Sequence, residues 1–234
     1  MSLKKLYRRY GWCLRSLPQT IYFNFHYLPF RQAIRLPVLL YKPHFRRLEG
    51  QVSIEGPVRT GMVRLGTNDV GIYPNSGIVL EIGGRLTFRG RCTIGNDSYL
   101  SIADTGSVTL GDNFMATAAL KLVCCCRMTF GRDVLCGWEC MFLDTDYHKR
   151  KHTDGSAGVR PFGPIEIGDE CWFALRSTVL KNTVLPPRTI VASHSMTSGP
   201  YDIPGASMIA GSPARLVRTG VYRDKDDDTI DYDA

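Results

Sequence analysis

The sequence predicts an all-β solenoid of short strands and turns stacked in coils, preceded by an irregular, partly helical N-terminal segment. Three observations lead to this expectation. Apolar residues recur every six positions between Ile82 and Val191, glycine follows several of them, and the one long interruption, between Phe142 and Ile165, is rich in charge. A period of six fits neither an alternating strand nor a helix of 3.6 residues per turn, so each unit is a short strand and a turn with one side chain facing inward. A single unit cannot hide that side chain from water; stacking does.

The N-terminal segment, residues 1–48, holds ten Lys and Arg and no acid, within a chain of 234 residues whose net charge is +7. Tyr7, Tyr10, Trp12, Tyr22, Phe23, Phe25, Tyr27 and Phe30 are interleaved with these charges. Such a mixture suits peripheral contact with an anionic membrane surface, and equally aromatics packed on the body of the protein with the charges solvated. Nucleic acid is not the expected partner. Pro18, Pro29, Pro37 and Pro43 break the segment into short pieces. With no apolar run of roughly 20 residues and no secretory pattern, the expected location is cytoplasmic, with possible association at the inner face of the membrane. The eight cysteines, three of them consecutive at 124–126, read as reduced thiols packed as small hydrophobes.

The repeat itself runs Ile82, Phe88, Ile94, Leu100, then after a slip Leu110, Ala116, Leu122, and after another Phe130, Cys136, Phe142. Beyond the charged stretch it resumes as Ile167, Phe173, Val179, Leu185 and Val191. The final segment, residues 221–234, ends in DKDDDTIDYDA, has almost nothing to bury and reads as a mobile acidic tail.

The run IGDECWFALRSTVLKNTVLPPRTIVASHSM, followed by DIPGASMIAGSPARLVR, resembles the hexapeptide-repeat acyltransferases, in the branch that O-acetylates sugars and polysaccharides. The resemblance covers roughly residues 50–220 and implies a left-handed parallel β-helix, a three-sided solenoid, spanning residues 49–220. It further implies a homotrimer and acetyl transfer from acetyl-CoA to a hydroxyl or amine acceptor, here a saccharide of surface polysaccharide assembly. Handedness comes from the resemblance alone, since parallel crossovers are ordinarily right-handed.

The interruption, LDTDYHKRKHTDG and onward, is then a protruding active-site loop, residues 143–164. Its DTDYH resembles an Asp-x-Asp-x-His pattern of that branch, which makes His148 the expected general base. A hydroxyl needs a base within hydrogen-bond reach to attack a thioester near neutral pH, and imidazole titrates in the useful range. Asp144 or Asp146 is expected to orient that ring, the other to hold the acceptor. By the same resemblance the backbone N–H of Leu175 stabilises the developing oxyanion, Trp172, Ala174 and Ser193 line the pantetheine path, and Arg215 and Arg218 meet CoA phosphates. FALRST and LPPRTI lack the usual corner glycines, and TSGPYDIP lacks the usual Lys, which leaves another thioester carrier, such as an acyl carrier protein, compatible with the sequence. His152 is expected to be solvated and His194 to occupy a surface corner. Cys136, Cys140, His148 and His152 give C-x3-C-x7-H-x3-H, but the spacing and the inward column position of Cys136 argue against zinc, and no metal is expected. The competing reading is a catalytically silent scaffold.

Overall fold

All fifteen residues of the six-residue series are at most 4% exposed in the structure, a computed structural model that describes residues 11–156 and 158–227. They line the inside of a left-handed parallel β-helix whose three faces are sheets of nine, seven and six strands among the described residues. Neighbouring strands in each face come from successive coils, so every pairing is parallel except the closing hairpin of Ser207–Gly211 with Ala214–Thr219. On the nine-stranded face, Leu65, Ile94, Ala116, Cys136, Phe173, Val191 and Ile209 stand in one inward column.

The slips in the period have a local cause. Leu80 pairs with Leu100, twenty residues on, whereas Phe173 pairs with Val191, eighteen residues on. The shorter coils turn each corner in a four-residue turn with positive φ at its third residue: Arg176 (+58°), Asn182 (+65°), Arg188 (+61°) and His194 (+58°). Positive φ there is the type II signature and usually selects glycine. In three of these turns the fourth residue's N–H donates to the first residue's carbonyl, at Ser177, Thr183 and Ser195. Hydroxyls add a second tie, Ser177, Thr183 and Thr189 each donating to the carbonyl three residues back at 2.7 Å. These side chains are buried, six residues apart, and fully partnered.

The solenoid begins earlier than residue 49. Val38–Leu40, Pro43–Leu48 and Gln51–Ile54 are the first strands of the three faces, so the basic segment already contains most of a coil. Its charges obscured this because they lie on outward positions. Before it, a 3-10 turn (Gly11–Ser16) leads into a helix, Leu17–Tyr27, with Pro18 in its first turn, where a missing N–H costs nothing. The helix lies across the open end of the first coil. Asn24 exchanges two hydrogen bonds with Val38 (2.8 and 3.1 Å), and the Leu40 and Lys42 amides donate to Thr20 and Ser16. An exposed sheet edge is thereby satisfied, and Phe23, fully buried, plugs the core.

Inside the prism Phe114, Phe130, Phe142 and Phe173 form a staircase of edge-to-face rings with centroids 5.1, 5.0 and 5.0 Å apart, directly beneath the point where the loop departs. At the other end the chain runs back along a corner: the Val221 amide donates to the Ala206 carbonyl, Arg188 lies over the Tyr222 ring, and Arg223 reaches the Asp133 carbonyl. The start of the tail is therefore docked; residues 228–234, like 1–10, lie outside the described residues. Among the described residues no helix is long and apolar enough to cross a membrane.

Candidate functional site

The loop leaves the corner between the seven-stranded and six-stranded faces, after Met141–Leu143, and returns at Ile165–Ile167. A short antiparallel stem forms its base. The Asp146 amide donates to the Pro161 carbonyl (2.6 Å), the Gly163 amide to the Asp144 carbonyl (3.0 Å), and Thr145 bridges Phe162. Lys181, at the corner of the next coil, clamps the stem: its Nζ donates to Asp146 Oδ2 (2.6 Å) and to the Arg160 carbonyl (2.8 Å). Arg150 meets the same carboxylate at 2.9 Å. The Lys181 hydrogen bond, more than the charges alone, holds the Asp146 carboxyl below its ordinary range.

Asp144 does different work. It is fully buried and accepts from the amides of Cys125 (2.7 Å) and Cys126 (2.8 Å) and from the Cys124 thiol (3.2 Å). Two backbone N–H groups and a thiol thus solvate a carboxylate that water cannot reach. Burial, and then the Asp144 charge, push the Cys125 thiol up. Neither aspartate is hydrogen-bonded to His148, whose ring is exposed and makes no hydrogen bond to the described residues. The expected carboxylate–imidazole pair is not formed within one chain, because both acids are committed to building the loop's foundation. His152 is exposed on the same loop, whereas Cys136 and Cys140 are sealed in the prism.

Below the loop, on the outer surface of the seven-stranded face, Tyr99 and Ser101 donate to Glu81 (2.7 and 2.9 Å), and these bonds hold the Glu81 carboxyl below its usual range. Tyr147, adjacent to His148, reaches toward this strip, and burial, first of all, then the nearby Cys125, raises its hydroxyl. Neither Lys181 nor this strip emerges from motif reasoning, since both depend on which coils come to lie side by side.

Leu175 occupies a different corner, between the nine-stranded and seven-stranded faces, as second residue of the Ala174–Ser177 turn. Its N–H has no acceptor among the described residues, as the second amide of a type II turn points outward. Ser193 holds the equivalent position one coil on, next to His194, which sits at the corner with its side chain exposed. Trp172 is half-buried on the outside of the nine-stranded face, pairing with Leu135 and Ile190. Beside it Gly137, Ala174, Ala192 and Ala210 follow the inward column by one residue and make a row of small residues across the outer surface; a Cβ at Gly137 would stand 3.1 Å from the Phe173 carbonyl oxygen and 3.3 Å from the Leu175 nitrogen. Arg215 and Arg218 are exposed on the last strand of this face, three strands beyond Trp172, about 14 Å at the usual strand spacing. The structure therefore gathers Trp172, Ala174, Leu175, Ser193, Arg215 and Arg218 along one face and its corner, and places His148, Asp144 and Asp146 at another. Leu175 and Lys181 are separated by the width of a face, up to about 20 Å of extended chain.

No protein-family model matches the chain. An uncharacterized 24.8 kDa protein in a cps region of Klebsiella pneumoniae is 25% identical over 138 residues, 59% of this chain and 60% of that protein, so the match spans less than two thirds of the relative's length. Among solved structures, the polySia specific acetyltransferase NeuO superposes with a TM-score of 0.50 at 13% identity, over 80% of this chain and 84% of that one. A maltose O-acetyltransferase from Clostridium difficile 630 does so with a TM-score of 0.40 at 15% identity, over 88% and 84%. The chain shares the left-handed β-helix fold of the hexapeptide-repeat acetyltransferases.

Proposed function

We propose that the protein is an acyltransferase that moves an acetyl group from acetyl-CoA to a saccharide hydroxyl, with His148 as general base. The observation that carries this reading is an imidazole left free of hydrogen bonds on a loop whose stem is fastened by Asp144, Asp146 and Lys181 to a rigid prism. A catalytic base needs an open ring nitrogen and a fixed backbone beneath it, and the loop supplies both.

Acetyl-CoA supplies the activated acyl group when bound, and the row of small residues beside Trp172 lets its arm lie close to the backbone, with Arg215 and Arg218 for its phosphates. There the unpaired Leu175 N–H donates to the acyl oxygen as it gains charge, while His148 takes the proton of the attacking hydroxyl as the C–O ester bond forms and returns it to the CoA sulfur as the C–S bond breaks. The Glu81, Tyr99 and Ser101 strip meets other hydroxyls of the acceptor. Because His148 and Leu175 stand on different corners, the site is completed between copies: the loop of one chain meets the Leu175 corner of its neighbour in a trimer. The cps region of the sequence relative and the polySia specificity of the structural relative support a polysaccharide or its precursor as acceptor.

The test is an acetyl-CoA turnover assay on a panel of saccharides. His148→Ala should lower the rate by about 10²- to 10⁴-fold while acetyl-CoA binding, read by calorimetry, is retained. If the wild-type chain neither binds nor turns over any acyl-CoA, it is a scaffold and the reading fails.

A further inference from the structure

The helix Leu17–Tyr27 is apolar on two sides. Its inward side carries Phe23 and Tyr27 against the core and, beside them, a polar stripe: Ser16, Thr20 and Asn24, four residues apart, are buried and face the first strand, where they satisfy Lys42, Leu40 and Val38. One position further along the chain, Leu17, Ile21 and Phe25 form a second stripe at the same spacing, and it faces solvent, with Ile21 42% and Phe25 46% exposed. Tyr22 joins that side, and Phe25 meets the ring of Phe30 at 6.0 Å, carrying the ridge on to Phe30 (69% exposed) and Ile34 (54%). A surface helix ordinarily has one apolar side, turned inward as Phe23 and Tyr27 are here, so a second, outward stripe of this length implies a partner outside the chain.

The position and charge of the ridge identify the partner. The bonds from Ser16, Thr20 and Asn24 to the open edge of the first strand run along the solenoid axis, so the opposite side of the helix looks outward from the end of the prism. Copies packed side by side about a parallel axis would leave this end free and turn all their caps the same way. Exposed Arg15, Arg31 and Arg35 border the ridge, and no Asp or Glu occurs in the first 48 residues, which also carry Lys4, Lys5, Arg8 and Arg9. An apolar ridge within a field of one sign suits anionic lipid, where aromatic and aliphatic groups enter the acyl boundary while guanidinium groups meet phosphates. We infer that the N-terminal cap is a monolayer-docking surface that seats the end of the β-helix on an anionic bilayer.

Co-sedimentation of the full chain with vesicles of 70:30 phosphatidylcholine and phosphatidylglycerol tests this. The wild type should pellet with these vesicles and not with pure phosphatidylcholine. The doubly substituted Ile21→Glu, Phe25→Glu chain, folded by circular dichroism because both sites are exposed, should lose at least tenfold in partitioning. Arg15→Glu with Arg31→Glu should lose several-fold and remove most of the salt dependence. A wild type that stays in the supernatant at low salt, or a Glu variant that pellets equally well, overturns the proposal. So does sedimentation velocity in which the wild type forms an assembly that the Glu variant cannot, without vesicle binding, since the ridge is then an interface between copies. Vesicle binding requires no acyl acceptor, so its outcome stands apart from that of the transfer assay.

Discussion

Asp144, sealed from water, and His148, open to it, stand four positions apart in the chain and differ because their surroundings do. Replacing Asp144 by Ala leaves the half-buried Cys125 and Cys126 amides without their acceptor, at about 1–3 kcal/mol each, so urea unfolding should show a loss of up to about 6 kcal/mol. His148→Ala should leave the same transition unmoved. At the corners, His194 holds a left-handed backbone conformation that costs an L-residue about 1–2 kcal/mol and glycine nothing. His194→Gly should therefore raise the melting temperature slightly despite the added chain entropy of glycine, and leave acyl transfer intact. Arg176, in the same conformation, pairs with Glu139 one coil below at 2.6 Å, so glycine there gives up an ion pair and gains less.

The loop stem is the element on which the proposed chemistry depends, and Lys181 is its fastening. Hydrogen bonding to Lys181 keeps Asp146 ionised below its usual range, so its contribution is complete above the unfolded carboxylate value, about 3.9, and is lost as pH falls through the lower folded value. Limited proteolysis at Lys149 to Lys151 should stay slow from neutral pH down to about 4 and accelerate below it. Lys181→Met should accelerate it at pH 7, with kcat falling more than acetyl-CoA affinity, because the clamp acts on the loop and not on the face that carries Trp172 and Arg215. Beneath the stem, Phe142 belongs to the ring staircase, and Phe142→Ala should cost about 3–5 kcal/mol through the cavity it leaves.

At the scale of the whole molecule, the separation of His148 from Leu175 makes a prediction about assembly. Leu175→Pro removes the N–H with little strain, since Pro187 already occupies the equivalent position of a neighbouring corner. Inactive His148→Ala and inactive Leu175→Pro chains, co-expressed and randomly mixed in trimers, should regain about a quarter of wild-type activity if each site joins two copies. A site contained in one chain would regain none.

The six-residue period alone determined the solenoid, its inward columns and the exit point of the loop, because inward orientation is a local property of short strands repeated in register. The Ser and Thr residues at 177, 183, 189 and 195 obey the same period and were equally open to reading as corner ties. The basic segment concealed its strands, since charge on outward positions says nothing about what the inward ones bury. Only the tertiary structure decided the division of labour in DTDYH: which carboxylate is buried depends on the Cys125 and Cys126 amides from the coil before, and which is clamped depends on Lys181 from the coil after. Stacking brings together groups 18 to 37 residues apart, and spacing along the chain carries no record of which of them will meet.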